Sequence, residues 1–270
     1  MKKNLLLPAL LFALPFLFIA CNKEDQSLDN METTTTDDVL TADDLIQNTE
    51  EEIDYQLETR GLGEDCPTVT VTPNDGTYPR TITIDYGTEG CEGPNGHVRK
   101  GIIQVVVTDT MINVGASRTV TFIGFSVDDV LVGGTRVKTN TGPNGEGQPT
   151  FTREVIEASL TFPNGDVAEW SGEQVITLIE GFDTFLRIDD VWQIEGGSSG
   201  VNRNGQAFTS NITTPLIKPF ACPWIVSGVR EVTVNDHTIT LDYGDGECDK
   251  FATLTRPDGT TKVVVIRRWW

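Results

Sequence analysis

Beyond Cys66 the chain alternates apolar and polar residues with a period of two. Ile156, Ala158, Leu160 and Phe162 interleave with Glu157, Ser159 and Thr161. After Pro163-Asn164-Gly165, one face takes Ala168, Trp170, Ile176 and Leu178, and the other takes Glu169, Ser171, Glu173 and Thr177. Successive side chains of a strand point to opposite faces, so this pattern specifies strands with one buried side. Trp192 with Ile194, Phe208 with Ile212, Ile239 with Leu241 and Val264 with Ile266 continue it. Turn signals such as Asn74-Asp75-Gly76, Pro143-Asn144-Gly145, Asn204-Gly205 and Pro257-Asp258-Gly259 separate the runs, supplying the positive φ angles of tight hairpins. No helical period competes after Cys66. The expectation is an all-β body of about a dozen largely antiparallel strands. Its hairpins pack as a β-sandwich or curl into a barrel-like sheet, because one flat sheet would leave an apolar face bare. Residues 66–270 suffice for one large domain or two sub-domains.

The N-terminus has another character. Lys2 and Lys3 precede Leu5–Ile19, an apolar run of signal-peptide length broken by Pro8 and Pro15 and short for a membrane span. It closes on Leu17-Phe18-Ile19-Ala20-Cys21, which resembles the lipobox of bacterial lipoproteins. The resemblance implies a signal peptide at residues 1–20 and acylation of Cys21. Cys21-Asn22-Lys23-Glu24-Asp25 is similar to the export signal of surface lipoproteins of the Bacteroidota type, with Lys23, Glu24 and Asp25 as its charged core. That implies a lipid anchor in the outer membrane and display at the cell surface. Each buried methylene contributes about 0.8 kcal/mol, so two or three acyl chains would hold durably.

From Asn22 to Glu64, fourteen acids against Lys23 and Arg60 leave a formal −12, more than half of the chain's −20. A segment of one sign and low hydrophobicity does not bury enough apolar surface to offset its ordering entropy. Residues 21–64 therefore read as a lipidated acidic tether, mostly disordered, with a weak helix from Thr41 to Leu57. The acidic balance argues against nucleic acid as a partner, since phosphate contacts need clustered Lys and Arg.

Setting Cys21 aside leaves four cysteines, an even number in an exported chain. TITIDYGTEGC at Thr81–Cys91 recurs as TITLDYGDGEC at Thr238–Cys248. Each copy follows a Cys-Pro, a strand and a turn, so an antiparallel hairpin brings the ends of each unit together. The expected bridges are Cys66–Cys91 and Cys222–Cys248, each contributing about 3 kcal/mol at this loop size. If residues 66–270 form two sub-domains, each would contain one of the related hairpins, 66–91 and 222–248.

Candidate sites are few. Asp242, Asp245, Glu247 and Asp249 lie within eight residues and offer hard oxygens for calcium. Only Asp242 and Asp249 have acidic counterparts in the first copy, Asp85 and Glu92, so a solvated turn is the preferred reading and no metal is assigned. There is no GxSxG, HExxH, P-loop or CxxC spacing, and neither a cofactor nor a catalytic residue is expected. His97 and His237 fall in turns. Asp128/Asp129 and Asp189/Asp190 are adjacent acids that point to opposite faces of a strand and so make no glycosidase pair. Trp170, Trp192, Trp224, Trp269 and Trp270 could include a flat platform for a sugar ring, but Trp170 and Trp192 sit on apolar faces that favour packing, and the terminal Trp269 and Trp270 are the better candidates for ligand contact. Asp109-Thr110-Met111 resembles the short O-glycosylation motif of these exported proteins. A terminal aromatic also suits an integral outer-membrane barrel, but the strands carry too few apolar residues for a lipid-facing wall. The expected function is a non-enzymatic binding or interaction module, attached to the membrane through its lipid and meeting a protein or glycan. The alternative is a carbohydrate-binding or carbohydrate-active accessory protein.

Overall fold

The computed structural model describes residues 23–59, 66–93, 96–184 and 186–266. One helix, α1 (Lys23–Thr59), precedes fourteen strands. These are β1 (Thr68–Thr72), β2 (Arg80–Asp85), β3 (Cys91–Glu92), β4 (Val98–Val107), β5 (Ser117–Val127), β6 (Val130–Pro143) and β7 (Pro149–Thr161). Then come β8 (Val167–Glu180), β9 (Val191–Val201), β10 (Ala207–Pro219), β11 (Ser227–Val234), β12 (His237–Asp245), β13 (Phe251–Thr255) and β14 (Thr261–Val265). All belong to a single sheet in the order β1-β2-β4-β5-β6-β7-β8-β9-β10-β11-β12-β13-β14, with β3 paired to β4. Every pairing is antiparallel, so the all-β expectation holds, as one long meander rather than the two layers of a sandwich. The duplicated stretches form β2 and β12, near opposite edges of that sheet.

The sheet curls around α1. One helix exchanges hydrogen bonds or ion pairs with the end of β2 (Tyr86), with β5, β6, β10, β11 and β12, and with the turn before β14 (Arg256). Only a strongly coiled sheet brings strands so far apart in its order to a helix roughly 10 Å across. The bends fall at breaks in register. At the break between Lys100 and Ile102, Gly101 has φ +82, and a Cβ there would lie 2.2 Å from the Gly124 carbonyl oxygen. At the break between Gly133 and Thr135, Gly134 has φ +95, and its Cβ would lie 2.5 Å from the Ala158 Cα. Bulges of this kind raise local twist. Among the described residues no β1–β14 pairing closes the sheet into a barrel. The outer wall mixes polar and apolar residues: β7 presents Thr152, Glu154 and Ile156, and β8 presents Val167, Glu169, Ser171, Glu173 and Val175. Charges such as Glu154, Glu169 and Glu173 would cost energy facing the middle of a bilayer.

The acidic tether is corrected by this structure. Residues 23–59 form one continuous helix of 37 residues, well beyond the Thr41–Leu57 stretch expected, and its middle is buried. Two features concealed it. Thr33-Thr34-Thr35-Thr36 is a β-branched run with low intrinsic helicity. Enclosure also removes amphipathic periodicity: Asp38, Val39, Leu40, Thr41 and Ala42 are consecutive and all buried, as are Asp44, Leu45 and Ile46. A helix buried on nearly every side over its middle has no broad exposed stripe to reveal its period.

Candidate functional site

Several strands carry a cation where their pattern calls for an apolar residue. Arg118 precedes Val120 on the inner face of β5, Arg153 lies between Phe151 and Val155 on β7, and Arg230 precedes Val232 on β11. Lys218 likewise follows Leu216 on β10. All four point inward and are buried. A buried charge is tolerated only when paired and hydrogen-bonded. For Arg153 the acceptor is the side-chain amide oxygen Oε1 of Gln174 on β8, at 2.9 Å from Nε. The other three find their acceptors on α1.

Along α1 the acids form a ladder through the interior of the curled sheet. Glu32 accepts from Arg256 Nε at 2.8 Å, and Asp38 accepts from the Arg203 backbone N–H at 2.8 Å and pairs with its guanidinium. Asp43 receives Arg230 at 3.0 Å and the Tyr243 hydroxyl at 3.2 Å. Glu50 pairs with Arg118, Glu51 with Lys218 at 2.9 Å, and Glu52 accepts the Tyr86 hydroxyl at 2.8 Å. Asp54 bridges Arg118 at 2.7 Å and Arg187 at 2.8 Å. Between these rungs Arg136 donates to the Ile46 carbonyl at 3.1 Å. Apolar contacts fill the spaces, with Val39, Leu40, Leu45, Ile46 and Ile53 all in the core. Each such side chain contributes about 1.5–3 kcal/mol.

This arrangement explains the duplicated Asp-Tyr-Gly. Asp85 accepts the Gly87 N–H at 2.8 Å and Asp242 the Gly244 N–H at 2.9 Å, each shaping its own turn. Both glycines take positive φ, +70 and +101. The tyrosine between them points inward, is fully buried in both copies, and donates its hydroxyl to an acid of α1. Each hairpin is closed as expected by its disulfide, Cys66–Cys91 and Cys222–Cys248, both with Cα atoms 5.8 Å apart. The repeat is a clasp that grips the helix at two points.

Burial and crowding shift the inner cations. Arg136 is held down to about 9 by burial and then by Arg153. Lys138 is pushed down to about 7, by burial first and then by Arg118, against the pull of Asp54. Its ammonium lies 4.8 Å from the Phe151 ring, 4.9 Å from the Trp192 ring and 4.0 Å from Glu50. Unfolded, this lysine has the ordinary value of 10.5. Between about pH 7 and 10 the unfolded chain therefore holds a proton that the folded one lacks, and stability rises with pH across that window. Lys138→Met is expected to flatten that rise, as read by urea midpoints at pH 7 and pH 9.5. An unchanged slope would show that the lysine keeps its proton.

The sequence-derived candidates fall in separate places. Cys21, Trp269 and Trp270 lie outside the described residues; Lys23, Glu24 and Asp25 form the start of α1, and their side chains lie outside the description too. Asp242 and Asp249 each spend a carboxylate oxygen on a nearby backbone N–H, Asp249 on that of Phe251 at 2.9 Å. Asp245 pairs across to Ser227, and Glu247 stands apart and exposed. Among the described residues no group of three or more His, Cys, Asp or Glu is gathered for a metal. His97 Nδ1 lies 2.5 Å from Asp128 Oδ2, while Asp128 Oδ1 accepts the Val98 N–H at 2.9 Å, so this pair fastens the β5–β6 turn to β4. Asp129 binds Lys100 at 2.8 Å. His237 opens β12, Asp189 accepts from Thr184, and Asp190 sits beside it at the start of β9. Asp109 accepts from the Thr110 N–H and from Asn113, leaving Thr110 exposed. Trp170 is buried and Trp192 and Trp224 are partly so, and they form no common platform.

The interior leaves little room. Between α1 and Trp170, Phe208 and Arg230 a gap of about 20 Å³ remains, enough for one water. The outer wall has a shallow cleft of about 460 Å³ lined by Glu157, Glu169, Ser171, Ser199 and Val201. Sequence reasoning missed the ladder itself. Its one signal was a cation repeatedly placed on the apolar face of a strand, which demands a counter-charge from elsewhere in the chain. No protein-family model, curated protein or solved structure matches the chain.

Proposed function

We propose that the chain is a lipid-anchored interaction module of the outer membrane, displayed at the cell surface and acting by binding rather than by catalysis. The observation that carries this reading is the filled interior. A sheet whose inside is occupied by its own helix meets other molecules with its rims and outer wall. The N-terminal motifs supply the anchor.

Orientation follows from the path of α1. Connections of a meander alternate between two ends. Asp38 and Glu32 meet the turns at 202–206 and 256–260, whereas Asp54 meets the opposite end at Arg187. Because α1 begins two residues after Cys21, the end bearing Arg203 and Arg256 faces the anchoring membrane, and the other end points away. We call these the proximal and distal rims.

Surface proteolysis of intact cells, combined with labelling by an alkyne fatty acid, tests the reading. The wild-type chain should take the label and be cleaved before lysis, and Cys21→Ala should take none and leave the membrane fraction. A labelled chain untouched until lysis would refute surface display. Glycan binding is the second reading; what supports it is the outer-wall cleft, where Glu157, Glu169, Ser171 and Ser199 offer carboxylates and hydroxyls to sugar hydroxyls. A glycan array probed with the Glu169→Ala variant as control decides it.

A further inference from the structure

The distal rim has a composition that the proximal rim lacks. Five large apolar side chains stand exposed on its connections: Ile112 and Val114 in the β4–β5 loop, and Phe182, Leu186 and Ile188 in the β8–β9 loop. Ile112 is 82% exposed and Leu186 65%. Among the described residues no connection of the proximal rim carries an exposed large apolar side chain.

The two loops belong to one continuous surface. A Cβ on Gly142 would touch Val114 at 3.4 Å, which seats the first loop against the end of β6, where the β6–β7 turn begins. That turn reaches the end of β8 through Gln148, whose amide donates to the Ile179 carbonyl at 3.4 Å. Beneath them Asp54 ties Arg118, at the start of β5, to Arg187, inside the second loop. The apolar residues are set among acids: Asp109, Glu146, Asp183, Asp189 and Asp190 surround them, and the one cation of these connections, Arg187, is already engaged by Asp54.

Exposed apolar clusters with a polar surround mark contact surfaces, and the sign of the surround selects the partner. A second copy would bring acid against acid. An anionic bilayer is repelled for the same reason, and the anchoring membrane lies at the other end. We infer that the distal rim is a docking surface for a cationic amphipathic polypeptide segment, whose apolar face covers Ile112, Val114, Leu186 and Ile188 and whose Lys or Arg residues meet the surrounding carboxylates. The inference rests on reading the chain as an interaction module.

The test uses the mature chain from residue 22 and a fluorescein-labelled amphipathic helical peptide of Lys and Leu, followed by anisotropy. Saturable binding is expected, roughly tenfold weaker for the triple variant Ile112→Ser, Leu186→Ser, Ile188→Ser, a loss worth about 1.4 kcal/mol. A Lys/Ser peptide of equal charge should bind about as poorly as the triple variant binds the first peptide. Val167→Ser/Val175→Ser, on the outer wall, should leave affinity unchanged. These positions are exposed, so melting curves should coincide for all variants. Absent binding, or equal binding by the Lys/Ser peptide or the triple variant, would overturn the inference. So would adsorption to anionic vesicles, or self-association, abolished by the same substitutions. None of these outcomes bears on surface display, which the proteolysis experiment decides separately.

Discussion

Deleting residues 22–59 is expected to leave a chain that no longer unfolds cooperatively. The sheet would lose the apolar cover supplied by Val39, Leu40, Leu45, Ile46 and Ile53, and would keep Arg118, Lys218 and Arg230 on an inner face without their acids. Losing five core side chains alone removes about 7–15 kcal/mol, as much as the whole stability of an ordinary domain. Each orphaned inner cation adds a desolvation cost of several kcal/mol. Circular dichroism and a urea titration of the truncated chain are the measurements. A truncated protein with an unchanged, single urea transition would restore the tether reading and remove the helix from the core.

The second large effect concerns the central rung. Asp43→Asn keeps the size of the side chain and an acceptor for Tyr243 but removes the charge that faces Arg230. Breaking a buried pair from one side costs about 3–5 kcal/mol, because the remaining charge stays desolvated. For a chain of this size that corresponds to a fall of about 10 °C in melting temperature. Arg230→Met alone should also destabilise, by stranding Asp43. The double variant Asp43→Leu/Arg230→Met should recover most of the loss, since an apolar pair of similar volume replaces the ion pair. If the single effects simply add in the double variant, the two groups are not coupled and the ladder is a set of unrelated contacts.

The ladder also accounts for the charge distribution of the chain. Taken alone, the segment of residues 22–64 carries −12 of uncompensated charge. Folded, its acids are divided among Arg118, Arg187, Arg203, Lys218, Arg230 and Arg256, which the sequence scatters over 139 positions and the sheet gathers along one axis. The ion pairs add little net stability, because desolvation offsets most of the Coulomb gain. Their effect is positional. Glu32, Asp38, Asp43, Glu50, Glu51 and Asp54 each meet a cation of the sheet, so a slip of the helix by one residue would swing them by about 100° away from their partners.

How much of this could be seen beforehand differs between the two halves of the chain. Alternation, Asn-Gly and Asp-Gly turns and the repeated Cys-Pro…Cys units are local signals, and they determined the strands, the hairpins and both disulfides. They act over at most 26 residues, the longer of the two disulfide loops. The candidate functional surfaces were less legible. The duplicated Asp-Tyr-Gly was readable as architecture, but not as a clasp, because the acids that its tyrosines hold lie 34 and 200 residues away. The rim formed by Ile112, Val114, Leu186 and Ile188 was equally hidden, since those residues sit in loops whose neighbours are set by strand order. The sequence by itself determined that this chain makes an antiparallel sheet with two cystine-closed hairpins. Only the tertiary structure decided that its acidic N-terminal segment is a helix inside that sheet. A strand announces itself through its own alternation, whereas a helix buried through its middle is stabilised by partners up to 224 positions distant and keeps no broad exposed face there to show its period.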